Sequence, residues 1–421
     1  MQAEARHQQS GTPVATMPGD VPNFIRRGTA TYRRASFSLL LGGLSTFNLL
    51  YCVQPLMPEF SRVFGVGADQ SALCLSLTTA ALAPSLLLAA PLADRFGRKP
   101  VMLVSVLLSS LLVLAGAIMN DWWGFLATRA LLGLTLGGLP AIAMTYLAEE
   151  IEPAALGATM SLYIGGNALG GVAARLMNGI LADHFSWHLA LAITGSLGIL
   201  GALVMGCLLP RSRVFVPVAR REQAQKGGYL SHLKSRRTML LLAEGALLSG
   251  ILVTVSNLLG YRLVATPFHL SVTLASLVFV TYLLGSPTTI IASRIAERFG
   301  KILVLNAGFC LILLGVGLMI LDALTPIALG LAVLTVGFFT AHGSASVLIT
   351  MGAHGSKAQA ASLYLFAFYS GSGIISWFGG HVWIWGGWQA VTLYIALLGT
   401  VGFLIAVTLA RTANRISGVQ H

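Results

Sequence analysis

Apolar blocks of roughly 20 residues recur along this chain, each parted from the next by a short polar or charged turn. At about 1.5 Å of rise per residue, such a block crosses a hydrocarbon layer of about 30 Å. Twelve can be read, at 37–58, 71–91, 101–119, 122–146, 155–181, 187–209, 238–261, 271–292, 302–321, 325–348, 358–380 and 387–410. The pattern predicts an all-α membrane protein with twelve transmembrane helices. Composition points the same way: of 421 residues, 56% are hydrophobic and 10% charged, whereas a soluble domain carries about 25% charged residues.

The net charge of +12 raises the question of a nucleic-acid partner, and its distribution argues against one. With the N-terminus cytoplasmic, 22 of the 26 Lys and Arg residues fall in the tails and in the loops of one face. Arg62 and Arg262 lie at or near the other face, and Arg129 and Arg175 lie within spans. This is the positive-inside bias, which places both termini in the cytoplasm and draws that face to anionic lipid headgroups. The polar stretch 1–35 reads as a disordered cytoplasmic tail with no signal-peptide core. Cys52, Cys74, Cys207 and Cys310 all sit in apolar spans, so no disulfide framework or metal site is expected. There is no G-x-x-x-x-G-K-[ST] loop and no acyl-transfer constellation, which leaves no enzyme and no cofactor to propose.

The chain repeats itself. Asp94 matches Glu297 at an offset of 203, and Ser161-Leu-Tyr matches Ser362-Leu-Tyr at 201. Gly170, Gly179 and Trp187 match Gly371, Gly380 and Trp388, also at 201. The expected organisation is an N-terminal six-helix bundle (36–209), a basic cytoplasmic linker (210–237), a C-terminal six-helix bundle (238–410) and a short tail (411–421). An even number of spans per half keeps both copies in one orientation, a parallel repeat about an axis normal to the membrane. Such an arrangement encloses a cleft near the midplane and favours a transporter.

Between spans two and three stands "PLADRFGRKPVM", and between spans eight and nine its weaker copy "RIAERFGKILVL". The first resembles the loop signature of the major facilitator superfamily, G-x-L-a-D-r-x-G-r-k. Leu92, Ala93, Asp94, Arg95, Gly97, Arg98 and Lys99 match it, and an alanine replaces the first glycine. Physically, Gly97 permits the tight turn, and Asp94 can pair with arginine or with the free N–H groups of the next helix. The resemblance implies a latch for the outward-facing state at Asp94 and Arg98, echoed by Glu297 and Arg298 in the second half. Glu149, in "YLAEEIEP", is placed to extend it by pairing with Arg95 or Arg98. The plainer alternative is that Arg95, Arg98 and Lys99 only mark the cytoplasmic face.

Ionisable groups inside spans are functional candidates because burying them is costly. Arg129 and Gly133 resemble the family's span-four motif R-x-x-q-G, which implies proton coupling or contact with substrate charge; the alternative is a snorkelling arginine. Span five carries "GGNALGG", which resembles the antiporter signature G-P-x-x-G-G with Asn167 in place of the proline. Arg175 adjoins the stripe Asn167, Gly171, Ala174, Asn178 and is open to either snorkelling or cavity exposure. Glu244 is the one carboxylate embedded in a span, with Arg237 two turns earlier as a snorkelling partner. His342 lies on a polar stripe with Thr335 and Ser346. Asn48, Tyr51 and Gln54 at the end of span one, and Asn257, Tyr261 and Arg262 at the end of span seven, suggest the cleft or its outer gate, or helix-end chemistry alone.

The chain most resembles bacterial efflux-type facilitators for sugars such as arabinose or for drugs. That implies a monomeric inner-membrane carrier moving a small organic solute by alternating access, with proton antiport. Uptake by a proton symporter or uniporter, and a non-transporting sensor of the same fold, are the alternatives.

Overall fold

The computed structural model describes residues 24–212, 229–352 and 357–417. Apart from an isolated bridge between Ile25 and Ile151, the regular structure among them is helical. Span one is α1 (Ala30–Tyr51), which continues through a 3-10 turn (Gln54–Leu56) into α2 (Met57–Phe64). Pro55 and Pro58 fall at this break, where missing N–H donors interrupt the helical ladder. α3 (Ala68–Phe96) and α4 (Arg98–Ala117) follow, separated by Gly97 alone. α5 (Trp122–Leu136) and α6 (Gly138–Glu150) together form span four. α7 (Pro153–His184) and α8 (Trp187–Leu208) complete the first half, α8 being capped by the Ser186 hydroxyl, which accepts from the N–H of Leu189.

A short α9 (Tyr229–Leu233) leads into α10 (Arg236–Val264). Span eight is α11 (Val272–Leu277), a 3-10 segment (Val278–Leu284) and α12 (Gly285–Phe299). α13 (Lys301–Met319) and α14 (Leu324–Met351) come next. Spans eleven and twelve form one element, α15 (Lys357–Ser417), bent where Gly386 (φ −153°) and Gly387 (φ 59°) leave helical geometry. Ten stretches among the described residues are long and apolar enough to cross a membrane. One of these runs Gln359–Thr412 and contains two crossings, and the 32-residue, glycine-rich α7 is a further crossing helix.

The charged turn is built the same way twice. Gly97 has φ 92° and ψ 153°, and Gly300 has φ 93° and ψ 142°. That backbone geometry is open to glycine and costly for residues with a Cβ. The preceding arginines behave alike too: Arg95 lies 5.2 Å from the Phe96 ring centroid and Arg298 5.2 Å from that of Phe299. Helix packing repeats in the same register. A methyl on Gly170 would lie 2.2 Å from the Leu44 carbonyl oxygen of α1, and one on Gly371 would lie 2.4 Å from the Ala246 backbone of α10. Close approach of this kind is how helices associate where lipid is the solvent.

Two large cores result. One gathers Leu39, Leu49, Phe60, Leu75, Phe125 and Trp187 of the first half, the other Leu248, Phe309, Leu334 and Val391 of the second. Val253 and Tyr369 join the first core and Val172 the second, which locates the seam between halves. Leu88, Val104, Leu131, Leu200, Leu303, Leu329 and Leu393 point outward, giving the bundle the apolar exterior that a bilayer requires.

The stretch expected to be a disordered tail to residue 35 is ordered from residue 24. Ile25 is buried; its N–H donates to the Glu150 carbonyl at 2.7 Å, and its own carbonyl accepts from Glu152 N–H at 3.3 Å. The apolar Phe24-Ile25 pair gives this piece of the tail something to dock with. The rest of the tail (1–23), most of the linker (213–228) and residues 418–421 lie outside the described residues.

Candidate functional site

The helices run between two ends. The proximal end carries α9 and the turns at Gly97 and Gly300, and the distal end carries the breaks at Gln54–Leu56 and Gly386. Among the described residues, the hydrogen bonds joining the two halves run from the distal end to about mid-depth. Gln54 Nε2 donates to Asn257 Oδ1 at 2.8 Å. The Tyr261 hydroxyl lies 2.6 Å from Ser61 Oγ and donates to the Met57 carbonyl at 2.8 Å. Asp183 accepts from the N–H groups of Val272 (3.1 Å) and Thr273 (2.7 Å) at the start of α11. Deeper, Ser76 and Ser376 meet at 2.7 Å, and Ser372 donates to Thr79 at 3.3 Å. Asp69 faces His381 at 3.6 Å. The first half thus closes on the second at the distal end.

Asp183 lies two residues past the apolar block of span five. Partial burial pushes its carboxyl up, but hydrogen bonds from Thr273 and from Val272 N–H outweigh this and hold it below the usual carboxylate range.

The proximal ionic cluster is real and lies inside the first half. Arg98 donates Nη1 to Asp94 Oδ1 at 2.9 Å and forks onto Glu149 through Nε (3.2 Å) and Nη2 (2.9 Å). Glu149 pairs with Arg98, while Arg95 stacks on Phe96. Lys99 caps the end of α8, with Nζ 2.8 Å from the Gly206 carbonyl and 2.5 Å from that of Leu209. Burial lowers the Lys99 ammonium from its ordinary value, and Arg211 adds to the effect. In the second half, Glu297 and Arg298 form no ion pair among the described residues. The turn is therefore duplicated in backbone, whereas among the described residues the ion pairs of Arg98, with Asp94 and Glu149, have no counterpart at Glu297 and Arg298.

Arg129 is a clamp. It is 2% exposed and donates to three carbonyls: Cys74 from Nε (3.1 Å), Leu50 from Nη2 (3.0 Å) and Leu49 from Nη1 (3.5 Å). The Leu49 and Leu50 carbonyls belong to the last turn of α1, among the carbonyls that a helix C-terminus leaves without intrahelical donors. A cation at a helix C-terminus is also favourable electrostatically. Snorkelling does not occur.

Arg175 is 3% exposed, lies between the halves and does not snorkel either. Its guanidinium carbon is 4.3 Å from the Tyr51 ring centroid, 4.9 Å from Tyr282 and 5.1 Å from Phe279. Nη1 donates to the Gly171 carbonyl of its own helix, and Nε is buried without a partner.

Glu244 is fully buried, and neither carboxyl oxygen has a partner. It does not reach Arg237. Its neighbour Gly245 packs against Tyr364, where an added methyl would lie 2.7 Å from the ring. The Tyr364 hydroxyl in turn lies 3.0 Å from His342 Nδ1. His342 stacks on Phe338 (5.4 Å) and contacts Phe368 (4.8 Å). α10, α15 and α14 thus bring Glu244, Tyr364 and His342 into one region of the second half, with Tyr364 bonded to His342 and the Glu244 carboxyl left without a partner. Tyr364 was not singled out in the sequence, although it closes the "SLY" match to Tyr163.

The remaining candidates divide. Asn48 is buried with Oδ1 unpartnered, and Tyr51 holds Arg175. Asn167 points its Oδ1 at α1, where a methyl on Gly43 would lie 2.3 Å from it, so it faces a helix contact. Arg262 pairs with Asp322 and stacks on Phe268 at 5.0 Å, tying distal loops of the second half together away from any cleft. The inter-half contacts of Asp69, Asp183, Ser76 and Ser376 were not foreseen, since short polar residues at span ends carry no distinctive signal.

Twelve crossings in repeated halves, a charged turn on one face and polar groups at the seam describe a carrier. Residues 39–376 match the model of the Major Facilitator Superfamily. Inner membrane transport protein YnfM of Escherichia coli (strain K12) is 41% identical over 391 residues, 93% of this chain and 94% of that one. Multidrug resistance protein MdtG of Salmonella typhi is 27% identical over 291 residues, 68% of this chain and 69% of its own. Among solved structures, a bacterial homologue of the human lysosomal transporter Spinster, inward-facing and occupied, superposes with a TM-score of 0.75 at 16% identity, covering 92% of this chain and 97% of that one. The chain belongs to the Major Facilitator Superfamily. It is a membrane transporter for a small solute, and not an enzyme.

Proposed function

We propose that this chain is a proton-coupled exporter of a small organic solute, working as a monomer by alternating access in a bacterial inner membrane with both termini in the cytoplasm. The cationic proximal end is then the cytoplasmic face. On that orientation the distal contacts support a state closed to the outside, and the outward-facing state forms when Asp183, Gln54 and Tyr261 release the opposite half. In that state the proximal ends approach each other. The Asp94 side chain, still 41% exposed beside Arg98, is the carboxylate positioned to meet the second half there.

Coupling rests on one observation, the buried and unpartnered carboxyl of Glu244. An ionised carboxylate without a partner in such a place costs several kcal/mol, so this packing suits the neutral acid. Losing the proton changes the stability of the packed state, which links proton occupancy to conformation. The hydrogen-bonded Tyr364–His342 pair lies near Glu244 and offers the next hydroxyl and titratable groups available to the proton in the second half. The resemblance of span five to the antiporter signature, and the printed name of the relative MdtG, support export of a drug-like or sugar-like solute. Uptake by symport is the second reading, favoured by Asn167 standing where that signature has proline.

Proteoliposomes with an imposed pH gradient test the proposal. Wild-type protein should move solute against its own gradient and opposite to the proton flow. Glu244→Gln should retain solute exchange at equal concentrations and lose gradient-driven accumulation. Accumulation that survives in this variant would rule out Glu244 as the coupling group.

A further inference from the structure

We propose that the transported solute carries a carboxylate, and that Arg175 is its counter-charge. This deepens the transporter reading above and rests on it. Of the two arginines buried in spans, Arg129 is matched by three carbonyls, whereas Arg175 has one carbonyl from its own helix and a buried Nε with no partner. Among the described residues no carboxylate pairs with it.

What surrounds the guanidinium is aromatic: Tyr51 from the first half, and Phe279 and Tyr282 from the 3-10 segment of the second. Ring faces attract a cation through their quadrupole but offer its N–H groups no carboxylate or carbonyl acceptor, and Nε is left without one. The cage is also divided between halves that must separate. When the distal seam opens, Phe279 and Tyr282 leave with the second half, and Tyr51 and the Gly171 carbonyl remain. The guanidinium is then uncovered at the seam with most of its fork unused. A planar carboxylate fits that fork through two parallel N–H···O bonds, which an ammonium or a neutral hydroxyl cannot match. Tyr51 beside it supplies an aromatic wall for the apolar part of the solute. A site uncovered by distal opening loads its anion from the distal side, so this inference rests on the transporter reading in its second form, uptake, rather than on export.

The test uses purified full-length protein in detergent and matched probe pairs: benzoate with benzamide, gluconate with glucose, and acetate, hexanoate and octanoate with their amides. Binding is read by thermal shift and by equilibrium dialysis. At least one carboxylate should bind and its neutral partner should not. Arg175→Gln should weaken that binding at least about 30-fold, and Arg175→Lys about 10-fold, since lysine keeps the charge and loses the fork. Both variants must elute as monodisperse protein. Equal binding of the neutral partner, carboxylate binding that survives Arg175→Gln, or no carboxylate binding at all would each overturn the proposal. Flux separates the two layers. Arg175-dependent binding without flux would refute the transporter reading and leave the anion site standing, and flux of a neutral solute unaffected by Arg175→Gln would do the reverse.

Discussion

Three charges in the spans face the same cost of burial and meet it differently. Arg129 satisfies the carbonyls that the end of α1 leaves open, Arg175 rests among rings, and Glu244 has no partner. Arg129→Ala would orphan buried carbonyls and loosen the junction of α1, α3 and α5, at a cost of about 2–4 kcal/mol. The expected result is a clear drop in the melting temperature of the protein in detergent, with solute affinity per folded molecule little changed; an unchanged melting temperature would refute the clamp. The sequence shows that these residues are charged and buried, which is enough to nominate them. It does not show their partners. The carbonyls that hold Arg129 lie at the end of α1 and in α3, 55 to 80 residues away. Tyr364 was hidden for a related reason: one tyrosine among many aromatics gains meaning when α10, α14 and α15 bring it into one region with Glu244 and His342.

At the level of the elements, the turn at Gly97 and its copy at Gly300 share a backbone shape, while among the described residues the ion pairs of Arg98 with Asp94 and Glu149 have no counterpart at Glu297 and Arg298. Gly97→Ala and Gly300→Ala should therefore cost similar amounts, about 1–3 kcal/mol each, because positive φ with ψ near 150° is essentially a glycine conformation, measured by thermal or denaturant unfolding. Asp94→Asn should slow turnover more than it weakens solute binding, and unchanged turnover would end the latch reading. Asp183, a carboxylate from α7 seated on the N-terminus of α11, strengthens the distal seam. Its carboxyl is held below the usual range, so its contribution is complete above an ordinary carboxylate value of about 4 and is lost as pH falls through the lowered one. Closure through this contact should accordingly be flat from pH 5 to 8, whereas Asp183→Asn should weaken it by about 0.5–1 kcal/mol across that range. A distance probe across the distal seam reads both.

For the molecule as a whole, the twelve-helix fold and its division were legible because lipid leaves few choices: a block of apolar residues must be a helix, and a repeat at an offset near 201 must be two similar bundles. The state of the carrier was not legible. The charged loops drew attention to the proximal face, and the halves in fact meet at the distal one through serine, threonine, tyrosine and aspartate side chains at helix ends. The proposal that two halves rock about a central seam is tested most directly by pulsed electron paramagnetic resonance in nanodiscs. One spin-label pair replaces the exposed distal residues Phe185 and Trp385, and a second replaces the exposed proximal residues Phe96 and Phe299, with the native cysteines removed. Two populations should appear in each pair and shift in opposite senses with pH, the distal distance growing as the proximal one shrinks. A single distance at both ends, unmoved by pH or by a bound carboxylate, would contradict it.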